Sequence, residues 1–521
     1  MNLEYKFNNF YEIIKYNAKH YPKKDALFID KRKINYKQLK LQIDLLARFL
    51  ENSGVQTKDK VALFLNNSEY FIISLFAITK LGAIAVPVNN FLKDEELEYI
   101  INNCDAKLLI TSNQFKKELT TIFDNTQIQK IIWSDNYTNL DENNFCFDEI
   151  LQGNYIDEHI KYTPTLNDTA IIIYTSGTTG HPKGAMLTYK SILSNCMYGG
   201  ERFKLNAKDR FIVYLPMFHS FTLTVMVIAP LYHSASFVIV KSIFPFSNVL
   251  KQVLLKRVTI FLGAPQIYNA LNKAKIPWYF MWFNNIRLFI SGAAPLSEQI
   301  LSDFKKKFKK ATMIEGYGLS ECSPVVGTNL MDKQKILSIG LPLESYEVKI
   351  VDDDLMEVPT GDIGEIIVKG DCVMQGYYKN DEATQSTIIN GWLRTGDLGK
   401  VDEDGFIYIV DRKKDLIICK GINVYPREIE ELIQKIDEVD AAAVVGIADE
   451  TKDEKIIAFV QLKEDISQQI DSKYIKKYLK PHLANFKMPK EIHIIKELPR
   501  NATNKVLKRK LKEDIKKYLQ E

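Results

Sequence analysis

The stretch AIIIYTSGTTGHPKG, Ala170–Gly184, decides how this chain is read. Its first five residues form a short apolar run, rich in β-branched side chains, of the kind that makes a fully buried strand. The run passes directly into four hydroxyl residues, Thr175, Ser176, Thr178 and Thr179, interleaved with Gly177 and Gly180 and followed by Gly184. Glycine permits close backbone approach and unusual dihedrals. Successive backbone N–H groups in such a loop make an anion-binding concavity. Lys183 adds a mobile positive charge, and together these groups suit a polyphosphate. The loop is not a Walker A motif, which requires Lys followed by Ser or Thr. Here Pro182 precedes Lys183 and Gly184 follows it. No GxGxxG fingerprint follows a strand, so a nicotinamide cofactor has no support.

Working outward, the first 400 or so residues alternate helical and strand patterns. Tyr36 to Leu50 carries apolar residues at helical spacing, with Gly54 as a stop. Val61–Leu65 (VALFL) reads as a strand, EYFIISLFAITKLG as a helix, and AIAVPV and AKLLITS as further strands. Such units predict an α/β fold: stacked, mostly parallel sheets with helices on their faces. After Asp411 the texture changes. RKKDLIICKG reads as polar and turn-like. Short strands (AAAVVGIA, KIIAFVQL, EIHII) then mix with the helices EIEELIQKI and SKYIKKYLKPHL. The pattern predicts a large N-terminal domain over 1–411 and a small α+β C-terminal domain over 412–521, with the junction near Arg412–Asp415.

The chain has 521 residues, 46% hydrophobic and 26% charged, the profile of a folded globular protein rather than a disordered, collagenous or coiled-coil one. A net charge of +4 is too weak to argue for nucleic acid. The charge is uneven: from Ser472 to Glu521, 13 Lys and 2 Arg face 5 acids. That end is a candidate surface for anionic ligands or lipid head groups. The six cysteines form no CxxC pair and no Cys/His cluster, so a disulfide framework or a zinc site is not expected. A reducing, cytoplasmic setting follows, and the N-terminus lacks the apolar core of a signal peptide. Phe211–Val240 contains no Asp, Glu, Lys or Arg and is long enough to span a bilayer. Pro216, His219, Pro230 and His233 interrupt it, however, so it reads as strand, loop, buried helix and strand.

With these elements in hand, the sequence resembles the adenylate-forming superfamily, which includes acyl-CoA synthetases, peptide-synthetase adenylation domains and firefly luciferase. YTSGTTGHPKGAM is similar to its phosphate loop. The other signatures follow in the family's order: LPMFHSF (Leu215–Phe221), SGAAPLS (Ser291–Ser297), EGYGLSECSP (Glu315–Pro324) and GWLRTGDLG (Gly391–Gly399). GFIYIVDRKKDLIICKGINVYPREIE (Gly405–Glu430) and LPRNATNKVLKRKL (Leu498–Leu511) complete the set. The resemblance covers essentially the whole chain. It implies a mobile C-terminal domain and a reaction in two halves. A carboxylate attacks the α-phosphate of MgATP, forming an acyl-adenylate and pyrophosphate; a thiol, usually coenzyme A, then displaces AMP.

The resemblance also implies roles, residue by residue. Thr175, Ser176, Gly177, Thr178, Thr179, Gly180 and Lys183 would hold the phosphates. Glu321, with Thr175, would ligate Mg²⁺, a hard cation that prefers oxygen. Tyr317 would stack on adenine, with Gly316 beside it and the Gly292–Ala293–Ala294 backbone along the base. Ser320, where the family usually has Thr, keeps the phosphate-facing hydroxyl. Asp397 would accept both ribose hydroxyls, and Arg412 would reach the ribose. His219 would sit beside the substrate carboxylate. Lys505 would neutralise charge at the α-phosphate during adenylation; Asn504 precedes it where the family has Gly, and Lys508 and Lys510 lie in the same Lys-rich tail. Lys414 marks the hinge. Lys420 and Gly421, where many relatives have Gly-Gly, would border the pantetheine of coenzyme A, although an acyl carrier protein remains open as the thiol donor.

The apolar segments after the His motif, FTLTVMVIAPL and Trp278–Trp282, favour a medium- to long-chain fatty acid, as does GAPQIY (Gly263–Tyr268), which resembles an acyl-pocket element. The overall look is closest to bacterial long-chain fatty acid–CoA ligases. Alternatives are an acyl–carrier-protein or acyl-AMP ligase, an aryl or branched-chain acid ligase, and a non-enzymatic nucleotide-binding paralogue. Chain length, oligomeric state and contact of the basic tail with a membrane stay open.

Overall fold

The computed structural model describes residues 5–119, 122–135, 141–153, 162–175, 181–241, 245–292, 294, 296–419, 422–448, 454–463, 470–500, 506–513 and 515. The structure is mixed α/β. Two large sheets dominate residues up to 342. One runs, in spatial order, Leu341–Pro342, Val325–Thr328, Thr312–Gly318, Leu288–Ser291, Ile260–Gly263, Arg210–Val213, Ser236–Ile239, Asp25–Ile29 and Arg32–Asn35. Its central strands, from Thr312–Gly318 across to Asp25–Ile29, are parallel neighbours. The second runs Gly376–Tyr377, Lys183–Thr188, Thr169–Thr175, Ile84–Pro87, Lys60–Phe64, Leu108–Thr111, Lys130–Trp133 and Asn144–Cys146.

Both faces of each central strand are buried, which is why these strands read as unbroken apolar runs rather than alternating ones. Val61 and Leu63 point into the main core, while Ala62 and Phe64 point into a second one. In the other sheet Phe211 and Val213 join the main core and Ile212 and Tyr214 an outer one. The main core also takes the apolar faces of helices Phe10–His20, Tyr36–Asn52, Glu69–Lys80 and Tyr189–Arg202, so these helices lie between the sheets. The helix from Tyr36 starts on a capping box, Asn35 with Gln38, and ends beside Gly54, whose φ of +93° suits only glycine.

Residues 346–412 depart from the α/β expectation. They form a five-stranded antiparallel sheet with Gly364–Gly370 and Trp392–Val401 at its centre and Tyr346–Val351 at one edge. Its strands run antiparallel and need no crossover, although helix Asp381–Thr387 lies on the connection to Ile388–Ile389; Asp402, at the turn after Trp392–Val401, accepts from the backbone N–H of Asp404 and Phe406. RKKDLIICKG also needs correcting: Ile407–Arg412 and Ile417–Cys419 are strands, and only Lys413–Asp415 between them is a tight helical turn. Alternation there is masked because both flanking strands are short.

The charge-free stretch 211–240 folds as a strand, a helix and a strand. Its helix is π-helical over Thr222–Ile228 and α-helical over Ala229–Tyr232, all buried. No helix among the described residues is long and apolar enough to cross a membrane. All six cysteines are buried free thiols. The C-terminal part forms a three-stranded sheet, Val439–Ala448, Glu454–Leu462 and Glu491–Ile495, covered by helices Pro426–Ile433 and Ser472–Leu479 around its own core. Arg427 ties the first of these helices to strand Ile407–Arg412, donating its backbone N–H to Asp411 and its guanidinium to the Ile409 carbonyl.

Candidate active site

The phosphate-loop motif closes a β-hairpin. Strands Thr169–Thr175 and Lys183–Thr188 are antiparallel, with Thr175 directly opposite Lys183. Lys183 thus begins a strand rather than a helix. Ser176 to Gly180 lie outside the described residues. Gly184 serves packing: a Cβ there would come 2.8 Å from Ile172 Cγ2 and 3.1 Å from the Tyr174 ring.

A second element meets the hairpin. Strand Thr312–Gly318 leads into a helical turn, Ser320–Cys322, that presents Glu321. Gly318 makes this possible, because any Cβ would sit 1.9 Å from the Pro324 carbonyl oxygen. Glu321 Oε1 accepts from Thr175 Oγ1 at 3.3 Å and from the Tyr377 hydroxyl at 3.0 Å. Lys183 Nζ lies 5.4 Å from the centre of the Tyr377 ring. Burial and the Glu321 charge hold the Tyr377 phenol well above its ordinary pKa, so it stays a donor. The sequence reading did not include Tyr377. It reaches the site because Gly376–Tyr377 adds as an edge strand to Lys183–Thr188, a pairing no local pattern announces. Replacing Tyr377 by Phe is expected to lower kcat/KM for ATP about tenfold, the size of one hydrogen bond to a charged group. The loss should vanish in a Glu321→Gln background, which a double-mutant cycle would read.

The same turn touches the His motif. Ser320 Oγ lies 2.8 Å from Ser220 Oγ, the neighbour of His219. His219 Nδ1 accepts from the Phe221 backbone N–H at 3.3 Å. The Phe221 ring in turn lies against Gly292, where a Cβ would come 3.4 Å from its Cζ. Ser220 is a further residue that the motif reading passed over.

A third group forms at the same, C-terminal end of Thr312–Gly318. The Tyr317 hydroxyl donates to Asp397 at 2.5 Å, and burial and that carboxylate push its pKa far up. Arg412 Nε lies 3.5 Å from the other Asp397 oxygen, because Asp397 and Arg412 are direct partners on adjacent strands. Gly316 pairs with Thr328, whose methyl would be 3.2 Å from any Cβ there. Gly292 and Ala294 lie on the loop after strand Leu288–Ser291, while Ala293 falls outside the described residues.

Beneath that loop, Glu315 accepts from the Leu296 backbone N–H, and burial pushes its carboxyl up to about 7 despite Arg427 nearby. Its unfolded value is near 4.5. A raised folded pKa means the neutral form is favoured, so its stabilisation is complete below pH 4.5 and is lost as pH rises to about 7. Glu315→Gln should remove that decline and make the variant more stable than the parent at pH 8, by about 3 kcal/mol at most. Denaturant midpoints of both proteins across this range would check it.

Lys414 is exposed on the turn Lys413–Asp415. Partial burial of its ammonium, then the neighbouring Arg412 charge, hold its pKa below the ordinary lysine value. Lys420, Gly421 and Lys505 lie outside the described residues. Lys508 is occupied elsewhere: it pairs with Glu430 at 2.8 Å inside the C-terminal part. Trp278–Trp282 does not face the site. Trp278 and Trp282 are 71% and 72% exposed, and only Phe280 of that segment is buried. Its apolar character belongs to the surface, which removes one of the sequence arguments for an acyl pocket.

The hairpin end at Thr175 and Lys183, the carboxylate on the Ser320–Cys322 turn and the Tyr317–Asp397–Arg412 group are what an AMP-binding enzyme is expected to bring together. The AMP-binding enzyme family model matches residues 14–378, and that of the AMP-binding enzyme C-terminal domain matches 428–505. The chain belongs to this family. It is 33% identical to the long-chain-fatty-acid–CoA ligase of Bacillus subtilis, over 96% of this chain and 93% of that one. It is 30% identical to the 2-succinylbenzoate–CoA ligase of Bacillus mycoides, over 94% of this chain and 96% of that one. The crystal structure of the anthranilate CoA ligase AuaEII with anthranoyl-AMP superposes with a TM-score of 0.91 at 28% identity, covering 100% of this chain and 99% of that chain.

Proposed function

We propose that the chain activates a medium- to long-chain fatty acid as its acyl-adenylate and then forms the coenzyme A thioester. One observation carries this reading: the phosphate-loop hairpin, the Glu321 turn and the His219 segment meet through Thr175–Glu321 and Ser320–Ser220 contacts. This arrangement sets the candidate polyphosphate groups next to the segment that would receive a carboxylate.

In the first half, a carboxylate oxygen attacks the α-phosphorus, the bond to the bridging oxygen breaks, and pyrophosphate leaves. An anion must approach a polyanion, so positioned cations and donors dominate the barrier. Lys183 and the loop N–H groups hold the leaving phosphates, Asp397 takes the ribose hydroxyls, Arg412 reaches the ribose and Tyr317 faces the base. In the second half, the thiolate sulfur attacks the acyl carbon, the acyl C–O bond breaks and AMP leaves with its electron pair. Lys505 serves the first half only. A C-terminal domain of 412–521, turning about Lys414, then gives way to the thiol path bordered by Lys420 and Gly421.

Mg²⁺ fits the donor set, because Thr175 and Glu321 offer oxygen ligands and phosphate oxygens would complete the shell. Bound there, it would neutralise phosphate charge. Among the described residues no group of three or more His, Cys, Asp or Glu forms a metal cage.

Support for the fatty acid comes from the fully buried, apolar Thr222–Ile228 segment that follows His219, and from the long-chain-fatty-acid–CoA ligase likeness. The 2-succinylbenzoate and anthranilate ligase likenesses keep an aryl acid as the second reading. Mass spectrometry of products from ATP, Mg²⁺, coenzyme A and a mixture of short, long and aryl acids separates them. Long-chain acyl-CoA with AMP is the expected product. Aryl-CoA alone would replace the substrate, and acyl-adenylate without acyl-CoA would move the acceptor to a carrier protein.

A further inference from the structure

We propose that the aromatic helix Trp278–Phe283, together with the lysine run at Lys305–Lys310, docks the protein on an anionic bilayer. The helix is short but firmly seated. Phe280 is 2% exposed and packs, with Met281, into the cluster that holds Phe289, Phe304 and Phe308. The Asn284 side chain closes its end by donating to the Phe280 and Met281 carbonyls. Its other face carries Trp278, Tyr279, Trp282 and Phe283, at 71%, 47%, 72% and 68% exposure. Scattered exposed apolar residues are ordinary, but four contiguous aromatics on one helix face mark a contact surface.

The charge beside that face is mostly positive. Helix Glu298–Lys307 and the residues after it present Lys305, Lys306, Lys309 and Lys310 to solvent, and Lys310 Nζ lies 6.0 Å from the Trp282 ring centre. Between residues 273 and 310 there are 8 Lys and Arg against 2 acids, a balance of +6. One of those acids, Asp303, is already paired with Lys306 at 3.3 Å. Lys307 turns inward instead, capping the helix Pro265–Lys273 through the carbonyls of Leu271, Asn272 and Ala274. That contact locks the lysine-bearing helix to the element leading into the aromatic one. Trp and Tyr favour the bilayer interface, and clustered lysines are drawn to anionic head groups. A predominantly cationic surface beside exposed indoles fits a lipid surface.

The basic tail is the weaker candidate, because three of its lysines are already engaged and no exposed aromatic cluster of this size accompanies it among the described residues. Lys476 bonds the Lys490 carbonyl, Lys487 pairs with Glu428 and Lys508 with Glu430. The aromatic face is also connected to the site. Helix Pro265–Lys273, about 14 Å long, starts beside Gly263, whose carbonyl accepts from Gly292 N–H, and ends just before Trp278. The docking proposal rests on the surface and not on the choice of acid.

The test uses the full chain without ATP or acid, so its failure is separate from that of the proposed activity. The protein is sedimented with phosphatidylglycerol–phosphatidylcholine vesicles and with phosphatidylcholine alone. Binding to the anionic vesicles is expected, weakened by molar salt, with a blue shift of tryptophan emission. The set Trp278→Ala, Trp282→Ala, Phe283→Ala and the set Lys305→Gln, Lys306→Gln, Lys309→Gln, Lys310→Gln should each weaken binding at least tenfold. Phe283→Trp, milder for the fold, should retain it, and Lys510→Gln with Lys512→Gln should change it less than twofold. No vesicle binding, or binding that the tail variant abolishes and the aromatic variant does not, overturns the proposal. So does a self-associated form that the aromatic variants convert to monomer without any lipid binding, which would make a second copy the occupant.

Discussion

Glu321→Gln is expected to slow adenylation by about 10²–10³-fold, or about 2.7–4 kcal/mol of transition-state stabilisation. The substitution keeps the shape of the side chain and both acceptor contacts, from Thr175 and Tyr377, at one of its oxygens. It removes the negative charge, which is what a hard dication requires. The defect should therefore appear as a raised Mg²⁺ requirement and a lower rate of pyrophosphate release, with thermal stability little changed. A loss under fivefold would separate Glu321 from the chemistry and leave it a partner of Tyr377.

The second large effect is a division between two lysines three residues apart. Lys505→Ala is expected to cut adenylation by about 10²–10³-fold, as loss of a charge that acts only in the transition state does. It should leave thioester formation from supplied acyl-adenylate near the parent rate. Lys508→Ala should instead act on stability and leave adenylation by the folded protein near the parent rate. Lys508 is ion-paired with Glu430, itself held by a bond from the Val444 backbone N–H, and Asp411 is close enough to raise the Lys508 pKa further. Removing it leaves a buried carboxylate without its partner and should destabilise the C-terminal part by about 2–4 kcal/mol. Single-turnover assays of each half-reaction, beside unfolding curves, would separate the two. Equal adenylation defects in both variants would mean that Lys508 leaves Glu430 during the reaction.

A membrane-facing aromatic helix and a site for fatty acids would be mutually supportive, since long acyl chains partition into bilayers. The two are tested independently, by vesicle binding and by product analysis.

Much of this was legible in the chain because its signals are local. Ala170–Tyr174 reads as a strand since both faces are buried, and every residue must then be apolar. The helix from Tyr36 announces itself by spacing and by its cap. Thr175, Glu321, Asp397 and Arg412 were nameable because each sits in a contiguous motif. What sequence could not supply depends on long-range pairing. Tyr377 enters the site only by adding a strand to Lys183–Thr188, and Asp397 meets Arg412 only by strand register. The antiparallel sheet of residues 346–412 was missed because its short strands lack the alternation of helix and strand that marks parallel units. Hydrophobicity fixed that Trp278–Phe283 was apolar, but not which way it faced. Burial is a property of the packed layers, and there the outer core took Phe280 and left the indoles to solvent.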